Sequence, residues 1–246
     1  MGFVTYTMSA YPDFIVISVE GGIGVGKSTL LEQISIAMPD VMTVPEPVGE
    51  WMRLKNSEGK SLLELFYEDK HRWSYTFQNC AILTRIMGLK TALRDCKKKI
   101  IITERSVLTD RFVFAEMLRD GGDIDALEWD LYMKWYEAFA SELPVKGVIH
   151  LTTGVGTSAE RILTRGRHGE EHIPLDYLSA LDAQHYKWLS SSKLPVLKVS
   201  TEPGESLESN LTMIRSFVDG LLAEAEKTGS AGSGASRSVV KMGDSW

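Results

Sequence analysis

One segment constrains this chain more than any other: GGIGVGKST, residues 21–29, which follows the apolar run FIVISVE (Phe14–Glu20) and leads into KSTLLEQISIA. It satisfies G-x-x-x-x-G-K-[ST] through Gly21, Gly26, Lys27 and Ser28. The glycines let the backbone curl until its N–H groups face an anion, and Gly22, Ile23, Gly24, Val25 and Thr29 belong to the same cradle. Lys27 supplies a cation, and the Ser28 hydroxyl is placed to reach Mg²⁺. A helix opening at Lys27 points its positive end at the same anion. Strand, loop and helix together predict a nucleoside triphosphate site. They do not read as a dinucleotide fingerprint, because Gly22, Gly24 and Gly26 are spaced two apart rather than as G-x-G-x-x-G.

The rest of the pattern agrees with an α/β fold. Short β-branched runs at Phe14–Glu20, Val41–Pro45, Lys99–Glu104, Gly147–Leu151 and Pro195–Val199 predict five strands. Between and after them, helical periodicity predicts helices at Lys27–Ala37, Lys60–Glu68, Lys70–Cys96, Leu108–Arg119, Ile124–Glu142, Ser158–Thr164, Pro174–Leu189 and Ser206–Lys227. Alternation of this kind is how a parallel sheet flanked by helices reads. From Thr228 the composition turns to Gly and Ser, so one domain over 1–227 and a flexible tail over 228–246 are expected.

Composition removes several classes. With 27 Lys+Arg against 33 Asp+Glu the chain carries −6, which weighs against a non-specific nucleic-acid binder but not against a small polyanion met by local charge. Cys80 and Cys96, without a CxxC pattern, exclude a disulfide scaffold and fit a reducing compartment. No apolar run approaches the roughly 18–20 residues that span a bilayer, and the opening residues carry no Lys or Arg. A cytoplasmic enzyme, with no membrane partner, is the expectation.

A phosphate loop leaves kinases, GTPases and ATPases open, but the DxxG and NKxD pair of GTPases is missing. Instead VPEPVGEW places Glu46 after the second strand, and IIITERS places Glu104 and Arg105 after the third. Ligands gather at the carboxyl ends of strands in open α/β sheets, so these residues are expected beside the phosphate loop. Pro45 and Pro47 fix the backbone around Glu46, as suits a positioned base.

At these residues the sequence resembles the deoxynucleoside kinases. The matching segments are EGGIGVGKSTL (20–30), VPEPVGEW (44–51), FYEDKHRWSYTFQNCAILTRI (66–86), ITERSVLTDRFVFA (102–115) and ERILTRGRHGEEHIPLDYLSALDAQHYKWL (160–189). The resemblance implies a P-loop kinase fold with a five-stranded parallel sheet and a mobile Arg-rich lid at about 161–173. It implies phosphorylation of a deoxynucleoside 5′-hydroxyl by ATP with Mg²⁺. Glu46 would be the base, Arg105 the cation beside the hydroxyl, and Ser28 and Glu104 the metal ligands. Arg165 and Arg167 would close over the donor phosphates, and Arg161 would lie against the donor base. Gln78 would read the acceptor base between Trp51, Phe77 and Phe114, with Tyr67 and Glu170 at the sugar 3′-hydroxyl. An Arg at 85 and an Asp at 110 resemble the deoxycytidine and purine branch, with thymidine disfavoured. A homodimer through Lys70–Cys96 and Ile124–Glu142 would also follow.

Three other readings compete. A nucleoside monophosphate kinase shares the P-loop and DRF (110–112), but its acceptor needs further cations. A non-catalytic kinase-like subunit should have lost Lys27, Glu46 or Arg105. His168, Glu171 and His172 satisfy H-x-x-E-H, a zinc protease signature, yet Gly166, Gly169 and Pro174 oppose the helix it requires.

Overall fold

The computed structural model describes residues 14–140, 143–167, 169–170 and 173–232. Strand β1 (Ile15–Glu20) feeds the phosphate loop and helix α1 (Lys27–Ala37); β2 (Val41–Val44) leads to α2 (Val48–Arg53), α3 (Leu62–Glu68) and the long α4 (Lys70–Asp95). Strand β3 (Ile100–Glu104) leads to α5 (Val107–Thr109), a π-helical turn (Asp110–Phe114), α6 (Ala115–Asp120) and α7 (Ala126–Phe139). The chain finishes with β4 (Val145–Thr152), α8 (Val155–Arg165), α9 (Leu175–Ser191), β5 (Val196–Ser200) and α10 (Leu207–Gly232).

The strands form one sheet in the order β2-β3-β1-β4-β5, parallel throughout. Both faces are covered, so β1 and β3 are buried along their whole length, and alternate residues enter different cores. Val16 and Ile101 pack with α4 and α7, whereas Ile17, Val19, Ile100 and Ile102 pack with α1 and α10. Each fully buried aliphatic chain contributes about 1.5–3 kcal/mol. The chain turns to β2 on one side of β1 and to β4 on the other, and the carboxyl ends of the strands around that reversal carry the site.

All five expected strands form, with ends moved by two residues at most. The helices needed more correction. α2 was not anticipated: six residues with only Trp51 buried give too little periodicity to read. The single helix expected over Leu108–Arg119 is interrupted by the π-helical turn, and the helix expected at Ser158 starts at Val155. α10 runs to Gly232, five residues into the expected tail, and Ile214, Val218 and Leu221 anchor it in the core. The remainder of the tail, 233–246, and His168, Glu171 and His172 lie outside the described residues.

Candidate active site

The phosphate loop folds as the glycine spacing requires. Gly21 has φ +137° and a Cβ there would stand 2.4 Å from the Leu151 carbonyl oxygen; at Gly24, φ is +81° and the clash is 2.4 Å from the Ser158 oxygen. Val25 turns into the core. Lys27 reaches back over the loop, donating to the carbonyls of Gly22 (2.5 Å) and Gly21 (3.2 Å). Burial, helped by the Arg105 cation, pulls its ammonium down to about 7 against the carboxylates of Glu104 and Glu46. Ser28 Oγ donates to Glu104 Oε1 at 3.0 Å, so the two expected metal ligands meet. Among the described residues, no three His, Cys, Asp or Glu gather as a metal site.

Two cavities flank this point. The smaller, of about 200 Å³, is lined by Glu46, Trp51, Tyr67, Phe77, Gln78, Arg85, Arg105, Asp110, Phe114 and Glu170, the expected acceptor residues, with Tyr177 besides and with Arg167, which was expected over the donor phosphates. The larger, of about 700 Å³, runs from Gly26 and Thr29 past Arg161 to Thr201 and Asn210. Gly24, Lys27, Ser28, Glu104 and Arg165 line both.

The acceptor cavity is built on ion pairs. Arg105 Nη1 donates to both Glu46 oxygens at 2.8 Å, and Arg105 Nη2 to the Gly21 carbonyl at 3.3 Å. Arg85 grips Asp110 through Nε (2.8 Å) and Nη2 (3.3 Å), reaches Glu46 Oε1 at 3.1 Å, and donates to the Glu104 carbonyl at 2.9 Å. Burial works against charge on Glu46, but Arg105, then Arg85 and Lys27, overcome it and hold the carboxyl at about 2. Burial also opposes charge on Arg85, and Asp110 and Glu46 more than offset it, raising its basicity further.

The walls are aromatic. Phe77 stacks on Phe66 at 4.5 Å, Trp51 meets it edge-on at 5.2 Å, and the Trp51 indole N–H donates to Thr84 Oγ1 at 3.0 Å. Gln78 is buried on the same face of α4 as Arg85, and its Oε1 has no hydrogen-bond partner among the described residues. Phe114 stands between the Arg105 guanidinium, 5.0 Å from its ring centre, and His185.

The lid residues hold partners of the chain's own. Arg165 and Arg167 both pair with Glu170, Arg167 at 3.0 Å, and Arg161 donates to the Thr201 carbonyl at 2.6 Å. The expected separation of roles is therefore blurred: Arg167 and Glu170 line the acceptor cavity, Arg161 the donor cavity, and Arg165 both.

Two features escaped the sequence reading. Arg105 has φ +59°, the only non-glycine positive φ among the described residues, a conformation costing roughly 1–3 kcal/mol that persists only where its surroundings dictate it. Glu20, fully buried at the end of β1, accepts hydrogen bonds from Ser106 Oγ (2.8 Å) and Thr109 Oγ1. Burial pushes its carboxyl up while the two hydroxyls pull it down.

A phosphate loop with paired cavities, one polyanion-sized and one walled by aromatics around a carboxylate, defines a P-loop phosphotransferase. Residues 17–221 match the family model of the deoxynucleoside kinases, and the chain belongs to that family. It is 35% identical over 193 residues to deoxycytidine kinase of Mus musculus, covering 70% of this chain and 74% of that protein. It is 40% identical over 192 residues to a probable deoxycytidine kinase of Fowlpox virus (strain NVSL), with coverage of 75% and 77%. Mitochondrial deoxyguanosine kinase of Xenopus laevis matches at 30% over 240 residues, with coverage of 83% and 90%. The chain is a deoxynucleoside kinase.

Proposed function

We propose that the enzyme transfers the γ-phosphoryl group of ATP to the 5′-hydroxyl of deoxycytidine or a purine deoxynucleoside in nucleotide salvage. The meeting of the two cavities at Lys27, Ser28, Glu104 and Arg165 carries this reading. Glu46 takes the hydroxyl proton as the 5′-oxygen bonds to phosphorus and the bridging oxygen leaves with ADP. A carboxylate held at about 2 is a weak base, yet a loose transition state demands little proton transfer until late. Arg105, drawn toward the incoming phosphate, would release Glu46 and restore part of its basicity. Lys27, Arg165 and Arg167 supply the positive charge that spreads over the phosphate oxygens.

Ser28 and Glu104 offer the hard oxygen donors that suit Mg²⁺, which takes few protein ligands and completes its shell with phosphate and water. Bound there, the ion would neutralise charge on the triphosphate. Closure of the lid, about 161–173, over the donor belongs to the same reading.

Base preference is supported by Gln78, whose Oε1, unpaired among the described residues, can accept from the exocyclic amine of cytosine, adenine or guanine. By the family resemblance, the Arg85–Asp110 pair would take up the room that a 5-methyl group needs. A monophosphate acceptor is disfavoured because Arg85 and Arg105 are already neutralised by Asp110 and Glu46. A non-catalytic role is disfavoured by Lys27, Glu46 and Arg105 all lining one cavity.

A homodimer is supported by Leu83 and Met87 on α4 and Leu127, Leu131, Trp135 and Phe139 on α7, all apolar and exposed; light scattering at twice the chain mass checks it. A reducing compartment such as the cytosol is supported by Cys80 and Cys96, neither of them in a disulfide, and cell fractionation tests the cytosol against mitochondria. Among the described residues no helix is long and apolar enough to cross a membrane.

The deciding experiment is a panel of the four deoxynucleosides with ATP–Mg, with dCMP, dAMP and dTMP alongside. Deoxycytidine or a purine deoxynucleoside should lead, and Glu46→Gln should lower kcat by roughly 10²–10⁴-fold while ATP still binds. Efficient thymidine phosphorylation overturns the preference; a fully active Glu46→Gln overturns the base assignment.

A further inference from the structure

Glu20 is the last residue of β1, one position before the phosphate loop, and its side chain is wholly buried. Hydroxyls rather than a cation take its two oxygens. Burying an ionisable carboxylate without an ion pair opposes folding, so core packing alone would favour an apolar residue here. The hydrogen bonds close a ring: Ser106 Oγ donates to Oε1, Thr109 Oγ1 donates to Oε2, and the Ser106 amide donates to Thr109 Oγ1 at 3.4 Å. Ser106 directly follows Arg105, whose backbone is left-handed. The neighbours of Glu20 hold Arg105 as well. Its amide donates to the Val19 carbonyl at 2.9 Å, and its guanidinium to the Gly21 carbonyl. Three consecutive residues of β1 and the loop thus fix the backbone, the side chain and the successor of one arginine.

We infer that Glu20 is a positioning residue for phosphoryl transfer: through Ser106 and Thr109 it locks the left-handed turn at Arg105, so that the cation beside the acceptor hydroxyl and the phosphate loop form one rigid piece. The inference rests on the role proposed for Arg105 and adds a group that touches neither substrate.

The test uses the full chain with ATP–Mg and its best deoxynucleoside, in Glu20→Gln, Thr109→Val and Arg105→Lys, and in Arg105→Lys combined with each of the other two. Thr109→Val removes one hydroxyl at nearly constant shape, and so serves if Glu20→Gln does not fold. Each tether variant should lower kcat about tenfold per folded molecule with both KM values within about twofold, because the loss falls on the transition state. In the Arg105→Lys background the same changes should cost at least about threefold less, since both act through one group. Tether variants that lower the melting temperature but keep kcat, or whose losses simply multiply with that of Arg105→Lys, overturn the inference. A fully active Arg105→Lys overturns the underlying role of Arg105 instead.

Discussion

Glu46, Arg85, Arg105 and Asp110 around the smaller cavity, and the loop and lid cations Lys27, Arg161, Arg165 and Arg167, use the same chemistry under opposite constraints. The first set is closed. Its side chains are at most 10% exposed, and two guanidinium groups face two carboxylates. The second set is more open: Arg165 and Arg167 are 34% and 27% exposed, and Arg161 and the buried Lys27 rest on backbone carbonyls. On the proposed reading, the substrates explain the difference. A nucleoside is neutral and cannot balance a buried charge, so its cavity has to be neutral by itself. A triphosphate brings its own charge, so its cations need partners they can exchange for phosphate oxygens. Rigidity belongs where the substrate offers no charge, and exchangeability where it does.

Breaking the closed set should have the largest effect. Arg85→Met leaves Asp110 buried without its partner and should destabilise the fold by roughly 3–5 kcal/mol in denaturant titration. Adding Asp110→Ala removes the stranded carboxylate and should recover most of that loss. The double variant also opens room for a methyl group, so kcat/KM for thymidine relative to deoxycytidine should rise by roughly 10–100-fold. If Arg85→Met alone is as stable as the parent, the first set is not a closed charge set and the comparison fails.

How much of this was legible in the sequence depended on how local each signal was. The phosphate loop, the five strands and the long α4 were readable because their glycine spacing and periodicity lie within one segment. Gln78 and Arg85, seven residues apart, could be placed on one face of α4 for the same reason. The roles of Glu46, Arg105, Asp110 and the lid arginines came from resemblance to a family, not from spacing. What stayed hidden is long-range. Arg85 also reaches Glu46, 39 residues away, and Glu20 finds Ser106 and Thr109 at distances of 86 and 89. A Glu ending a strand reads as an ordinary boundary residue until the fold brings hydroxyls to it. The π-helical turn carrying Asp110 and Phe114 leaves no compositional mark either, since it adds a residue to a helix without changing its character.

The open set gives the smallest effect on stability, and that is where the comparison can be sharpened. Arg167→Ala removes one of two cations on Glu170, and Arg165 still holds that carboxylate. A partly exposed pair contributes little, so the variant should lose less than about 1 kcal/mol in the same titration that registers Arg85→Met. Its kcat should nonetheless fall by roughly tenfold or more, because the charge is wanted in the transition state and not in the resting fold. The stability change should shrink further at high salt, where exposed charges are screened over a few ångströms. A loss of stability comparable to that of Arg85→Met would mean that the lid arginines are structural cations, and that the second set is as closed as the first.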